Sequence, residues 1–256
     1  MGSTATSREN NFKLDLNPGS LPVFCAEPNT ETRLPGLILI HEIFGVNEHI
    51  RDLARKFAGH GLRVFAPDLL ARSESFPENE ADRDDLDTMR QAWMSIPDSQ
   101  IMADLDVLFT HIQSQENING KTGSMGFCMG GAISLLLGCH EPKLAYVIDF
   151  YGRIRYGFTS KTKPKDPIDY LVPLKAPVLG LFAGKDELIT AEHIEEFSQR
   201  LQTLEKSYQL KIYENASHAF FNDRRPHYDR EASEDALQLV LAFIKKNSKE
   251  ERPGPM

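Results

Sequence analysis

The sequence predicts an α/β fold: one mostly parallel sheet with helices on both faces. Two observations carry that reading. Short apolar runs alternate with helical patterns from about residue 36 to residue 244, with no internal repeat. The length, 256 residues, suits a single large α/β domain. Residues 10–247 are expected to form that domain. Residues 1–9 and 248–256, polar or Pro-rich, are expected to be disordered tails.

The elements follow in order. "GLILIH" (Gly36–His41) is a compact strand-type run. Ile50, Leu53, Ala54 and Phe57 then recur at helical spacing, and Gly59 and Gly61 can end that helix. "LRVFAPDLL" is the next strand, stopped by Pro67. Two helical stretches come next; in the second, Ile101, Leu105, Leu108 and Ile112 share one face. Lys121–Met125 is a short strand leading into a glycine-rich turn, with the buried helix "AISLLLG" behind it. "LAYVIDFYG" and "PVLGLFAG" are further strands. Ile194, Phe197, Leu201 and Leu204 mark a helix, "YQLKIYE" a strand, and Leu237, Val240, Leu241 and Ile244 the closing helix.

Composition narrows the function classes. A net charge of -8 argues against a nucleic-acid surface, which needs a basic patch. No apolar run is long enough to span a bilayer, and "MGSTATSREN" lacks the apolar core of a secretion signal. Gly2 and Thr6 echo a myristoylation pattern loosely, without a second membrane signal. Cys25, Cys128 and Cys139 form neither a disulfide framework nor a metal-ligand spacing. A cytoplasmic location with free thiols is the expectation, with no metal, no cofactor and no nucleic-acid or membrane partner. The acidic run "ENEADRDDLD" reads as a solvated helix face.

Parallel sheets carry their sites at the carboxyl ends of the strands. Cys128 is so placed, at the centre of Gly-x-Cys-x-Gly-Gly (Gly126, Cys128, Gly130, Gly131), after a strand and before a helix. This is the pattern of a nucleophile elbow with cysteine in place of serine. The nucleophile holds a strained backbone, so the residues two positions away must lack side chains. The helix that starts there points its amides and the positive end of its dipole at the sulfur. The Met129 amide is placed to hold an oxyanion. A tight turn or a phosphate-binding loop would use similar glycines.

Asp186 follows the strand "VLGLFAG", although an Asp at a strand exit also serves as a helix cap. His218 follows the last strand, in "KIYENASHAFFND". The order nucleophile, acid, histidine is that of the α/β-hydrolase fold. Glu42 follows "GLILIH", close enough to affect the thiol's proton, and the Ile43 amide is the second candidate oxyanion donor. Tyr151, at a strand exit, is the best candidate to line a substrate pocket, with Trp93, Phe127, Phe150 and Phe220 as others; most aromatic residues are core.

"EIFGVN", "PDLLAR", "GFCMGG", "GKD" and "SHAF", in this order, resemble the dienelactone hydrolase (carboxymethylenebutenolidase) family, from about Leu37 to the closing helix. The resemblance implies a Cys128–His218–Asp186 triad without metal or organic cofactor. It also implies that Glu42 contacts the resting thiol and takes its proton when substrate arrives. The implied reaction opens a lactone, 4-carboxymethylenebut-2-en-4-olide, to maleylacetate. Two positions depart from the pattern. Asn222 stands four residues after His218, and Leu86 ahead of Trp93, where the family holds a substrate carboxylate with arginines. Arg83, Arg90 and Arg224 are nearby alternatives; Arg90 is retained as a candidate substrate contact.

A small-molecule lactone or ester is therefore the expected partner; monomer or homodimer stays open. A general carboxylesterase or thioesterase acting on neutral esters is the alternative within hydrolases. A non-catalytic ligand-binding module is the alternative outside them.

Overall fold

The computed structural model describes residues 7–249. Eight strands form one sheet: β1 (Ser7–Asp15), β2 (Ser20–Pro28), β3 (Leu34–Ile40), β4 (Arg63–Pro67), β5 (Ile118–Phe127), β6 (Val147–Phe150), β7 (Val178–Ala183) and β8 (Tyr208–Tyr213). Their order is β1-β2-β4-β3-β5-β6-β7-β8. The strands from β4 to β8 in that order run parallel, while β2 pairs antiparallel with both β1 and β4. Six α-helices surround the sheet: α1 (Glu48–Gly59), α2 (Leu86–Ser95), α3 (Asp98–Gln113), α4 (Met129–His140), α5 (Ala191–Thr203) and α6 (Arg230–Asn247).

The predicted α/β class, with its mostly parallel sheet, is the observed one. The hairpin β1–β2 is an addition that the sequence reading did not anticipate. Of the two expected tails, residues 1–6 and 250–256 lie outside the described residues, whereas Ser7–Glu9 already belong to β1 and Ser248 caps α6.

Local chemistry sets the helix ends. Asn47 opens α1 by accepting the Ile50 N–H at 3.2 Å, and Ile50, Leu53, Ala54 and Phe57 turn inward as their spacing predicts. Thr190 caps α5 with His193 answering in a capping box. In α4 every residue from Met129 to Cys139 is buried, so this helix is the central element of the core rather than an amphipathic cover. Among the described residues no helix is long and apolar enough to cross a membrane. Nor does any group of three or more His, Cys, Asp or Glu side chains stand ready to hold a metal ion.

The parallel register fixes the site. Ile40 pairs with Gly126, Phe127 with Phe150, Phe150 with Leu181, and Ala183 with Tyr213. The carboxyl ends of β3, β5, β6, β7 and β8 thus finish along one edge. Backbone hydrogen bonds continue past the strands. Cys128 N–H donates to Phe150 O (2.9 Å), Tyr151 N–H to Leu181 O (2.9 Å) and Lys185 N–H to Ala216 O (2.9 Å). The turns that leave this edge are therefore pinned to one another rather than loose.

Candidate active site

Cys128 sits between β5 and α4 with φ 55° and ψ -115°, a conformation costly for any residue with a side chain. The turn is tight enough to exclude side chains on either flank. A Cβ on Gly126 would run into the Gly130 carbonyl, and one on Gly130 into the carbonyls of Ile40 and His41. The first-turn amides of α4 have no intrahelical acceptor. Among the described residues, neither the Met129 N–H nor the Ile43 N–H donates to a protein acceptor. Both residues are buried beside the edge.

Asp186 and His218 meet across the turns after β7 and β8. Asp186 Oδ2 pairs with His218 Nδ1 at 2.6 Å, and Asp186 Oδ1 accepts the N–H groups of Leu188 (2.8 Å) and Ile189 (3.2 Å). The carboxylate is thus held on both oxygens. Burial alone would push the His218 imidazole down, but its hydrogen bond to the Asp186 carboxylate and the influence of the Cys128 sulfur together raise it to about 10. The other ring nitrogen of His218, Nε2, is buried with no hydrogen-bond partner. Tyr151, with φ 42°, lies edge-on to His218 at 5.2 Å between ring centroids. Its turn is held by Asp149, whose Oδ1 accepts the Gly152 N–H at 2.7 Å.

Glu42 is buried to 4% exposure. Its Oε2 accepts from Asn222 Nδ2 at 2.8 Å, and its Oε1 has no hydrogen-bond partner. Burial pushes the Glu42 carboxyl up, while the Asn222 amide, His218 and Arg225 pull it back. The preceding His41 fixes this loop. Its Nε2 accepts the Leu69 N–H at 3.1 Å, so its Nδ1 is the protonated nitrogen and donates to the Glu42 carbonyl at 2.5 Å.

The remaining sequence candidates separate. Phe127 is not at the mouth of the site: it is fully buried, in a cluster with Phe150 (4.7 Å) and Phe221 (5.7 Å). Trp93 packs edge-on to Tyr156 at 5.4 Å, under the Lys163 ammonium. Arg90 is exposed on α2 and pairs with Asp87 at 3.3 Å. Arg83 is spent on the carbonyls of Pro77 and Glu78, and Arg224 on Asp52. The cation that sequence reasoning missed is Arg225. It lies over the Phe44 ring at 4.4 Å, its only ion pair among the described residues is a long one to the exposed Asp84 at 3.8 Å, and its charge reaches Glu42. Nothing in the sequence marks it except its place seven residues after His218.

Comparison with known proteins identifies the family. The model of the dienelactone hydrolase family matches residues 21–248. A protein of Escherichia coli (strain K12), provisionally named a carboxymethylenebutenolidase, is 37% identical over 232 residues, covering 88% of this chain and 82% of that one. A Bradyrhizobium protein, provisionally named a 2-oxo-3-(5-oxofuran-2-ylidene)propanoate lactonase, is 29% identical and covers 91% of this chain and 92% of its own length. The crystal structure of a Klebsiella pneumoniae protein, provisionally named a dienelactone hydrolase, superposes with a TM-score of 0.87 at 32% identity. It covers 94% of this chain and 99% of that one. With a family model spanning most of its length and relatives above 30% identity, the chain belongs to the dienelactone hydrolase family and is a hydrolase of lactones or esters.

Proposed function

We propose that the chain hydrolyses a lactone or ester through a thioester on Cys128, with His218 and Asp186 completing a triad and Glu42 controlling the thiol proton. The observation that carries the reading is the His218 imidazole held by Asp186 at 2.6 Å with its Nε2 unpartnered, while Cys128 stands at the amino end of a buried helix and its sulfur raises the imidazole's proton affinity. An imidazolium beside sulfur is the natural partner of a thiolate.

In the first half-reaction the sulfur attacks the carbonyl carbon and the C=O electron pair moves to oxygen. The free amides of Met129 and Ile43 supply two donors for that oxyanion. Collapse re-forms the carbonyl and breaks the bond to the alkoxide oxygen, which takes the proton from His218. In a lactone this alcohol stays tethered to the acyl group. In the second half-reaction His218, oriented by Asp186, removes a proton from water, and the hydroxide displaces the thiolate. Thiolate is a better leaving group than an amine, which favours esters and lactones over amides.

Arg225 supports a substrate that carries a carboxylate, as 4-carboxymethylenebut-2-en-4-olide does. With His218 it is one of two cations whose charge bears on Glu42, and its guanidinium, stacked on Phe44 and only distantly paired with Asp84 at 3.8 Å, can make a charge-assisted contact. The absence of arginine at Asn222 and Leu86 supports the neutral-ester reading instead. Lactones and esters with and without a free carboxylate, assayed on the wild type and on Arg225→Met, separate the two. Under the carboxylate reading Arg225→Met raises KM for the charged members by about tenfold or more, the worth of a hydrogen bond to a charged group, and leaves the neutral ones unchanged. Equal effects on both sets favour the general esterase. Turnover of no member, together with no acylation of Cys128, would favour the non-catalytic binding module.

A further inference from the structure

The reaction as proposed gives Asn222 no task, yet its side chain is among the most tightly specified near the site. It is 2% exposed and stands on the same turn as His218. The turn itself is closed by Asn222 N–H donating to Ala219 O (3.0 Å) and Arg225 N–H donating to Asn222 O (3.1 Å). Its amide orientation is settled by a backbone donor: Asn222 Oδ1 accepts the Arg224 N–H at 3.1 Å. Nδ2 is therefore the group that faces Glu42, donating to Oε2 at 2.8 Å. The two oxygens of Glu42 are thereby made unequal, since Oε1 is buried with no partner.

We propose that Asn222 is a positioning residue for Glu42: its amide holds the carboxylate by Oε2, so that the proton Glu42 takes from the thiol lands on Oε1. This rests on the reading that Glu42 exchanges a proton with Cys128. In that exchange the S–H bond breaks and an Oε1–H bond forms. The negative charge passes from the carboxylate to the sulfur, and the Nδ2–H···Oε2 bond persists on both sides. A neutral amide suits the task better than a fixed cation. It gives the carboxylate a directional donor that offsets part of its burial, yet adds no full charge that would oppose its protonation. His218 and Arg225 already face Glu42 with positive charge from the turn after β8. Tyr151, at the end of β6, and Cys128, at the start of α4, share the enclosure, and His41 touches the Glu42 carbonyl from its own loop.

The test follows the Glu42 carboxyl directly, by carbon NMR of protein labelled at its glutamate carboxyls, with the Glu42 signal assigned through Glu42→Gln. Asn222→Ala removes the donor, and the near-isosteric Asn222→Asp replaces it with an acceptor. The expected result is an upward move of the Glu42 midpoint by about one pH unit in Asn222→Ala, the worth of one hydrogen bond. A larger move is expected in Asn222→Asp, and a smaller one in Asn222→Gln, which keeps a donor. The pH profile of Cys128 alkylation should move in both the Ala and Asp variants, and should not respond to Asn222→Ala once Glu42→Gln is present. In the unsubstituted protein the Asn222 side-chain amide protons should shift with the Glu42 titration, a measurement that needs no variant to fold. An unmoved Glu42 midpoint in Asn222→Asp, or amide protons indifferent to the titration, would overturn the inference and leave Asn222 a packing residue. A failure of Cys128 to become acylated would instead remove the proposed reaction; the carboxyl titration reads the Asn222–Glu42 coupling independently.

Discussion

Two ion pairs of nearly equal length, each with a buried carboxylate, stand in different parts of the molecule. At the carboxyl edge of the sheet Asp186 meets His218 at 2.6 Å; at the start of α3 Asp98 meets Lys163 at 2.7 Å. Asp186 has two backbone N–H groups on its second oxygen, from Leu188 and Ile189. Asp98 faces the Lys163 ammonium without such support. Burial accordingly pushes the Asp98 carboxyl up and the Lys163 ammonium down, each toward its neutral form. The His218 imidazole instead rises to about 10, because burial is outweighed by Asp186 and Cys128. Distance alone does not distinguish the pairs. Two backbone donors on the Asp186 carboxylate, and none on that of Asp98, do. The Asp98–Lys163 pair ties the long β6–β7 connection to α3, with Lys163 Nζ also donating to Ile96 O at 2.7 Å. It has no reacting neighbour.

The comparison makes opposite demands on substitution. Asp186→Asn should cost about 10⁴-fold in kcat on an activated ester, as loss of the orienting carboxylate does in triads. Steady-state kinetics, taken per folded molecule, checks this. Lys163→Met should do the reverse. It leaves a buried carboxylate unpaired, at a cost of about 3–5 kcal/mol in stability, while kcat per folded molecule is unchanged; urea unfolding and active-site titration read this. Replacing both partners, Asp98→Leu with Lys163→Met, should recover most of that loss, since a buried pair is often matched by well-packed apolar residues. No apolar replacement of Asp186 and His218 should recover turnover.

The smallest effect concerns pH. The folded imidazole of His218 lies above its ordinary value of about 6.5. Its contribution to stability is therefore complete below pH 6.5 and lost as pH rises through about 10. Stability measured from pH 6 to pH 10 should fall with a component that is reduced in Asp186→Asn. A slope identical in both proteins would place the proton affinity of His218 elsewhere.

Much of this was legible in the chain. Cys128, Asp186, His218 and Glu42 stood out because each follows an apolar run, and parallel strands finish on one edge. The hairpin β1–β2 was not legible, because its first strand is mostly exposed and polar, "SRENNFKLD", and gives no apolar signature. Phe127 was misplaced for a simple reason. It adjoins the nucleophile in sequence, but successive residues of a strand face opposite ways and its ring turns into the core. Arg225 and the Asn222–Glu42 contact depend on a turn 180 residues away in sequence, and no local pattern encodes such a meeting. Asn222 was visible only as a missing arginine; its hydrogen bond to Glu42 appears only in the structure.

The central claim is that Cys128 becomes acylated during turnover. The direct measurement is mass spectrometry of the protein quenched in acid during reaction with a slowly hydrolysed aryl ester, followed by peptide mapping. The account predicts one acyl group on the peptide that contains Cys128, formed and lost at rates that match turnover, and absent in Cys128→Ala, which should be inactive. An acyl group on another residue, or wild-type turnover in Cys128→Ala, would contradict it.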